Sequence, residues 1–173
     1  MRMHLPMLLM TLLAVACTNN QVIETKENKV GTLTSANEYL VKPLQVSFKA
    51  PEGWNTSAET WTGWLQQWRN EYDGELRKEC RKTLTNIEAD AKPAKGYVVE
   101  CDVYEMESGG FAGVGGTGYA RAKVKITDVA DGTVLFEGKL QGTSTTATSV
   151  EGRLTGSVND LAEKIAEILM QGA

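Results

Sequence analysis

The chain has 173 residues with 18 basic and 22 acidic side chains, and its net charge of −4 excludes the broad basic surface of a nonspecific nucleic-acid binder. Its one histidine is His4, inside the leader, so beyond the leader there is no histidine for a catalytic triad, for zinc ligation or for the usual general base near neutral pH. The length suits one domain with its own core rather than two.

The chain opens "MRMHLPMLLMTLLAVAC", in which Arg2 gives a positive start, Leu5 to Val15 a short apolar run, and Ala16 a small residue before Cys17. This is the layout of a secretory signal peptide over residues 1–16, too short for a permanent membrane span. Leu13-Ala14-Val15-Ala16 resembles a bacterial lipobox, with Ala14 where that pattern prefers leucine. The resemblance implies cleavage after Ala16 and palmitate-type acylation of Cys17; an ordinary secreted protein is the alternative. Several acyl chains, at about 0.8 kcal/mol per buried CH₂, hold a protein to a membrane permanently. Thr18 stands where lipoproteins kept in the inner membrane usually carry Asp, so the implied address is the outer membrane, facing the periplasm.

Residues 17–38 are polar without a sustained period and read as a lipidated flexible tether, which leaves 39–173 as a single domain. "LQVSF" then alternates Leu44, Val46 and Phe48 against Gln45 and Ser47, a half-buried strand entered at Pro43. From Ser57 to Leu84 the pattern predicts one long helix, capped by Asn55 or Ser57, with Glu59 early and Arg77, Lys78, Arg81 and Lys82 late. On a wheel, Ala58, Leu65, Leu76 and Cys80 share the side expected to face a sheet. Trp61, Trp64 and Trp68 fall on its shoulder. Either these indoles widen the buried stripe, or Trp64 and Trp68 are partly exposed and form a partner-binding surface with Trp61.

"GYVVECDVYEM" alternates Tyr97, Val99, Cys101 and Val103 inward, so Cys101 and Cys80 are expected to point into one helix-to-sheet space and to form a disulfide; two buried free thiols are the alternative. If bridged, the loop between them stabilises the fold by roughly 3 kcal/mol. "YARAKVKITDVADGTVLFEGKL" is a hairpin, its strands joined at Asp131-Gly132 and its outer face basic. Residues 142–156 read as a loop or a ragged edge strand. Ser157, three before Asp160, is expected to cap a last helix striped by Val158, Leu161, Ile165 and Leu169.

"GVGGTG", Gly113 to Gly118, has the spacing of a dinucleotide-binding loop. That use requires a helix after the glycines, and here a period-two strand follows, so the run is expected to connect two antiparallel strands without holding a nucleotide. Composition and spacing give no cofactor, no metal ligands and no catalytic residue.

The first strand, the long helix, the glycine run, the hairpin with its Asp128-to-Leu135 turn and the closing "NDLAEKIAEIL" together resemble a family of uncharacterised bacterial lipoproteins. More distantly they are similar to α/β modules of curli-secretion and peptidoglycan-synthase-activator lipoproteins. The resemblance implies assembly or adaptor roles without catalysis. The expected fold is α+β in two layers, a four-stranded, mostly antiparallel sheet with the long and the C-terminal helix on one face. The expected function is a non-enzymatic, lipid-anchored envelope protein binding an envelope protein or peptidoglycan, with no nucleic acid and with self-association open. One alternative is a glycan-binding module stacking sugars on Trp64 and Trp68; another is a carboxylate-dependent hydrolase using Glu100 or Asp102.

Overall fold

The computed structural model describes residues 22–32, 38–50, 54, 56–109, 116–145 and 147–171; Cys17, the leader and the middle of the glycine run lie outside them. In chain order the elements are β1 (Val22–Asn28), β2 (Glu38–Val41), β3 (Gln45–Val46), α1 (Ala58–Glu79), β4 (Thr83–Asn86), β5 (Tyr97–Glu107), β6 (Gly118–Asp128), β7 (Val134–Ser144) and α2 (Val150–Met170).

All seven strands form one sheet in the order β1-β7-β6-β5-β2-β4, with β3 also beside β5. The α+β class is as expected, but the sheet is larger than the four strands anticipated and is mixed. β1, β7, β6 and β5 are antiparallel neighbours, whereas β2 and β3 run parallel to β5 and β4 runs parallel to β2. The parallel edge exists because α1 is the crossover that carries the chain from β3 back to the start of β4.

The centre of the sheet follows directly from alternation. Val99, Cys101 and Val103 of β5, Ala120, Ala122, Val124 and Ile126 of β6, and Phe136 and Leu140 of β7 all face the helices and are buried. The β6–β7 hairpin closes as anticipated. Ala130 N–H donates to the Asp128 carboxylate at 2.9 Å, Thr133 N–H donates to the Asp131 carboxylate at 2.8 Å, and Gly132 takes φ +75°, which favours glycine. β5 and β6 are paired from Tyr97 opposite Asp128 to Glu107 opposite Tyr119, so the glycine run does connect antiparallel neighbours. No helix follows it, and the nucleotide reading fails on the fold as it did on the sequence.

Three expectations are corrected. The first concerns the tether: residues 22–28 form β1, antiparallel to β7, with Glu24 opposite Lys139 and Lys139 Nζ 2.6 Å from the Glu24 carboxylate. An edge strand with little burial on either side carries no apolar alternation for the sequence to show. The second concerns α1, which ends at Glu79; Cys80 is its extended C-cap and Thr83–Asn86 become β4. Arg77 spans this junction, donating from Nη1 to the Leu84 carbonyl at 2.8 Å and from Nη2 to Asn86 Oδ1. The third concerns α2, which starts at Val150 with Ser149 as N-cap, its Oγ accepting Gly152 N–H at 3.0 Å. Ser157 is therefore buried in mid-helix, where its hydroxyl donates to the Arg153 carbonyl at 2.8 Å.

α2 lies against β6 and β7 and alongside α1. Its approach is close because Gly142 has no side chain: a Cβ there would overlap the Ser157 carbonyl oxygen and stand 2.7 Å from Leu161 N. Leu154, Val158, Leu161, Ile165 and Leu169 of α2 then share one core with Trp68, Tyr72 and Leu76 of α1. Among the described residues no helix is long and apolar enough to cross a membrane.

Candidate partner-binding site

Ser57 starts α1, its Oγ accepting Thr60 N–H at 3.1 Å, and places Trp61, Trp64 and Trp68 on neighbouring turns. Trp54 precedes the helix and Phe48 follows β3. The five rings interlock at 5.6–6.3 Å between centroids: Trp61 on Trp68, Phe48 on Trp61, Trp54 on Trp64 and on Trp61, and Trp64 on Trp68. These tilted and edge-to-face contacts each add about 0.5–1.5 kcal/mol beyond burial and hold the indoles rigid.

The cluster has an inside and an outside. Trp68 is fully buried at 0% exposure, with Nε1 finding no hydrogen-bond partner among the described residues. The sequence reading that put Trp68 on a surface is thereby overturned. The buried stripe of α1 is centred on Trp68, Tyr72 and Leu76, spaced by four, and the wheel had centred it on the aliphatic residues; Ala58 is exposed. Trp61 and Trp64 are half-buried, packed on the core yet open at one side.

Next to the cluster lies a groove of about 530 Å³ between the β2–β3 step and the flank of α1. Val41, Pro43 and Leu44 form one wall; Gln66, Arg69 and Asn70 line the other. Arg69 Nε donates to the Leu44 carbonyl at 3.2 Å, and Gln66 Nε2 to Asn70 Oδ1 at 3.0 Å. The groove is polar on the helix side, and on the strand side Lys42 and Asn86 stand among the apolar Val41, Pro43 and Leu44.

Cys80 and Cys101 are both buried and unbridged, which corrects the expected disulfide. Their sulfurs have different partners: Cys101 meets the Tyr72 hydroxyl two turns before the end of α1, while Cys80 takes the Lys82 backbone N–H. Burial pushes both thiols above their ordinary range. Inert, protonated sulfurs follow.

The carboxylates considered for hydrolysis lie on the opposite, outer face of the sheet. Glu100 is held by Lys42 Nζ at 2.8 Å and stands opposite Lys125, and Asp102 stands opposite Lys123. Further along, Glu105 accepts the Tyr119 hydroxyl at 2.8 Å and Arg121 Nη1 at 3.0 Å, while the guanidinium lies 4.5 Å from the Tyr119 ring centre. The Tyr119 and Arg121 hydrogen bonds hold the Glu105 carboxyl below its usual range. This face is a ladder of cross-strand charge pairs. Among the described residues no group of three His, Cys, Asp or Glu side chains is placed to hold a metal ion.

No protein-family model matches the chain, and no curated protein matches it. Solved structures do. The hypothetical protein CT253 from Chlamydia trachomatis is 12% identical, with a TM-score of 0.50 over 79% of this chain and 97% of its own. Protein XCC0632 from Xanthomonas campestris, of the DUF330 family, is 13% identical, with a TM-score of 0.50 over 78% and 85%. A chain of the PelC dodecamer from Paraburkholderia phytofirmans is 15% identical, with a TM-score of 0.46 over 75% and 88%. At these identities the likeness is one of fold. The fold is shared with uncharacterised bacterial proteins, in keeping with the resemblance read from the sequence.

Proposed function

We propose that this chain is a non-enzymatic, lipid-anchored protein of the bacterial envelope that binds another envelope component at the aromatic end of α1. The observation that carries the reading is the five-ring cluster, in which Trp68 is an internal brace and Trp61 and Trp64 keep an open side. Rigid, partly exposed tryptophans are the side chains most enriched where partners bind tightly. The same helix lines a groove with Gln66, Arg69 and Asn70.

The leader supports the address. Acylation at Cys17 attaches the domain to the membrane, and Val22 opens β1 five residues later, a reach of at most about 18 Å. The domain therefore stands at the lipid surface and does not swing on a long tether. Glycan stacking on Trp64 and Trp68 together is ruled out by the burial of Trp68.

The test is a Trp61→Ala, Trp64→Ala double variant compared with the parent chain in cells, after chemical crosslinking of the envelope. The reading expects a crosslinked complex that disappears from a variant still folded and still anchored. A complex that persists unchanged in the folded variant would sink it.

A further inference from the structure

Beyond Val41 the outer edge of the sheet is bare among the described residues. β4 covers β2 only as far as Val41, whose carbonyl accepts the Ile87 N–H at 3.0 Å. The chain then steps through Lys42-Pro43-Leu44 and rejoins β5 as β3, with Gln45 opposite Asp102 and Val46 opposite Val103. Ser47 N–H donates to the Val103 carbonyl at 3.0 Å, so Ser47 is turned toward β5. Peptide groups alternate along a strand, and those of Leu44 and Val46 therefore point to the open side.

Arg69 confirms that direction, because its Nε meets the outward Leu44 carbonyl from α1. A side chain occupies the place of a neighbouring strand. Of the charges on the α1 wall, Asp73 is held by Arg77 Nε at 3.1 Å, whereas the Arg69 guanidinium has no acidic partner among the described residues. The groove thus joins an open strand edge, a helix flank above it and an uncompensated cation.

We propose that this groove takes an extended, acidic peptide segment that adds as a strand beside β3, a proposal that rests on the binding function above and names the class of partner. A guest backbone N–H replaces Arg69 on the Leu44 carbonyl, the Val46 peptide group supplies the next bonds, and the released guanidinium pairs with an Asp or Glu of the guest. The guest then runs on toward Phe48, whose ring packs 5.7 Å from Trp61, so edge and aromatic cluster form one continuous surface.

The experiment is to pan a random dodecapeptide library against the full mature chain and measure the enriched peptides by fluorescence polarisation. Val46→Pro removes an N–H that the β5 ladder does not use, a position where an edge strand tolerates proline. Enriched peptides are expected to carry acidic residues, to bind Val46→Pro at least about tenfold more weakly, and to lose their preference for Glu over Gln on Arg69→Gln. Absence of any enriched peptide overturns the proposal, as does equal binding to a folded Val46→Pro chain. If Val46→Pro unfolds, an unchanged Glu preference on Arg69→Gln overturns it instead. An envelope complex that depends on Trp61 and Trp64 but ignores both groove variants leaves the binding function standing and removes strand addition.

Discussion

Asp160 on α2 accepts the backbone N–H of Thr143 at 2.6 Å. One turn later Lys164, which is only 7% exposed, donates to the Gln141 carbonyl at 2.7 Å and to the same Asp160 carboxylate at 2.8 Å. These bonds lie just beyond the start of β1, whose first residue, Val22, is opposite Leu140. Arg69 does the same for Leu44 at the opposite edge. Both helices therefore send charged side chains to edge backbone groups that no strand among the described residues meets.

Lys164→Met is expected to cost about 1–3 kcal/mol, because the Gln141 carbonyl and the Asp160 carboxylate both lose a donor. Urea denaturation reads the loss. Sedimentation of the variant at high concentration is expected to show added self-association through the uncapped β7 edge; a stable, monodisperse variant contradicts the capping role.

Gly142→Ala tests the close approach of α2. The added methyl overlaps the Ser157 carbonyl oxygen and crowds Leu161 N, and both of these are backbone atoms, so no side-chain rotation relieves the clash. A loss of about 3 kcal/mol or more is expected, at the upper end of overpacking costs. Gly132→Ala is a useful contrast: nothing lies within 4 Å of its Cβ, and only the φ of +75° resists the change.

Trp68→Ala and Trp64→Ala should separate brace from surface. Emptying the fully buried Trp68 site is expected to cost about 3–5 kcal/mol. The half-buried Trp64 should cost well under that, leaving a cooperative thermal transition near that of the parent. Equal losses would mean that both indoles are simply core.

Tyr39 predicts the alkaline limit of stability. Burial lifts its phenol from the ordinary 10 to about 12, and its hydroxyl has no partner among the described residues. A raised pKa means that the folded chain keeps a proton the unfolded chain gives up, so this contribution is complete below pH 10 and is lost as pH rises toward 12. Tyr72, also raised by burial, adds to the same loss. Tyr39→Phe is expected to be neutral or stabilising by up to about 1 kcal/mol at pH 7 and to flatten the decline between pH 10 and 12. Denaturation midpoints across that range check both parts.

The β5–β6–β7 centre was legible because each strand alternates apolar and polar side chains and the Asp131-Gly132 turn has unambiguous chemistry. β1 and β4 were not. β1 is exposed along nearly its whole length, its apolar Val22 and Ile23 included, and β4 is a four-residue parallel edge whose only buried residue is Leu84. The tryptophan cluster was visible as spacing, but which indole faced inward depended on where the sheet lay beneath α1, and the wheel weighted Leu65 and Ala58 above Trp68 and Tyr72. The groove left no sequence signal at all. It arises from β4 stopping one residue short of the Lys42-Pro43-Leu44 step, a fact of pairing between segments some forty residues apart.

Whether the open side of Trp61 and Trp64 meets a partner is decided by photocrosslinking in living cells from a photoreactive residue at position 64, with position 139 on the outer sheet face as the comparison. A discrete envelope partner captured from 64 and not from 139 is the predicted result. Capture of the same species from both positions, or of nothing from 64 in a folded and anchored chain, would contradict it.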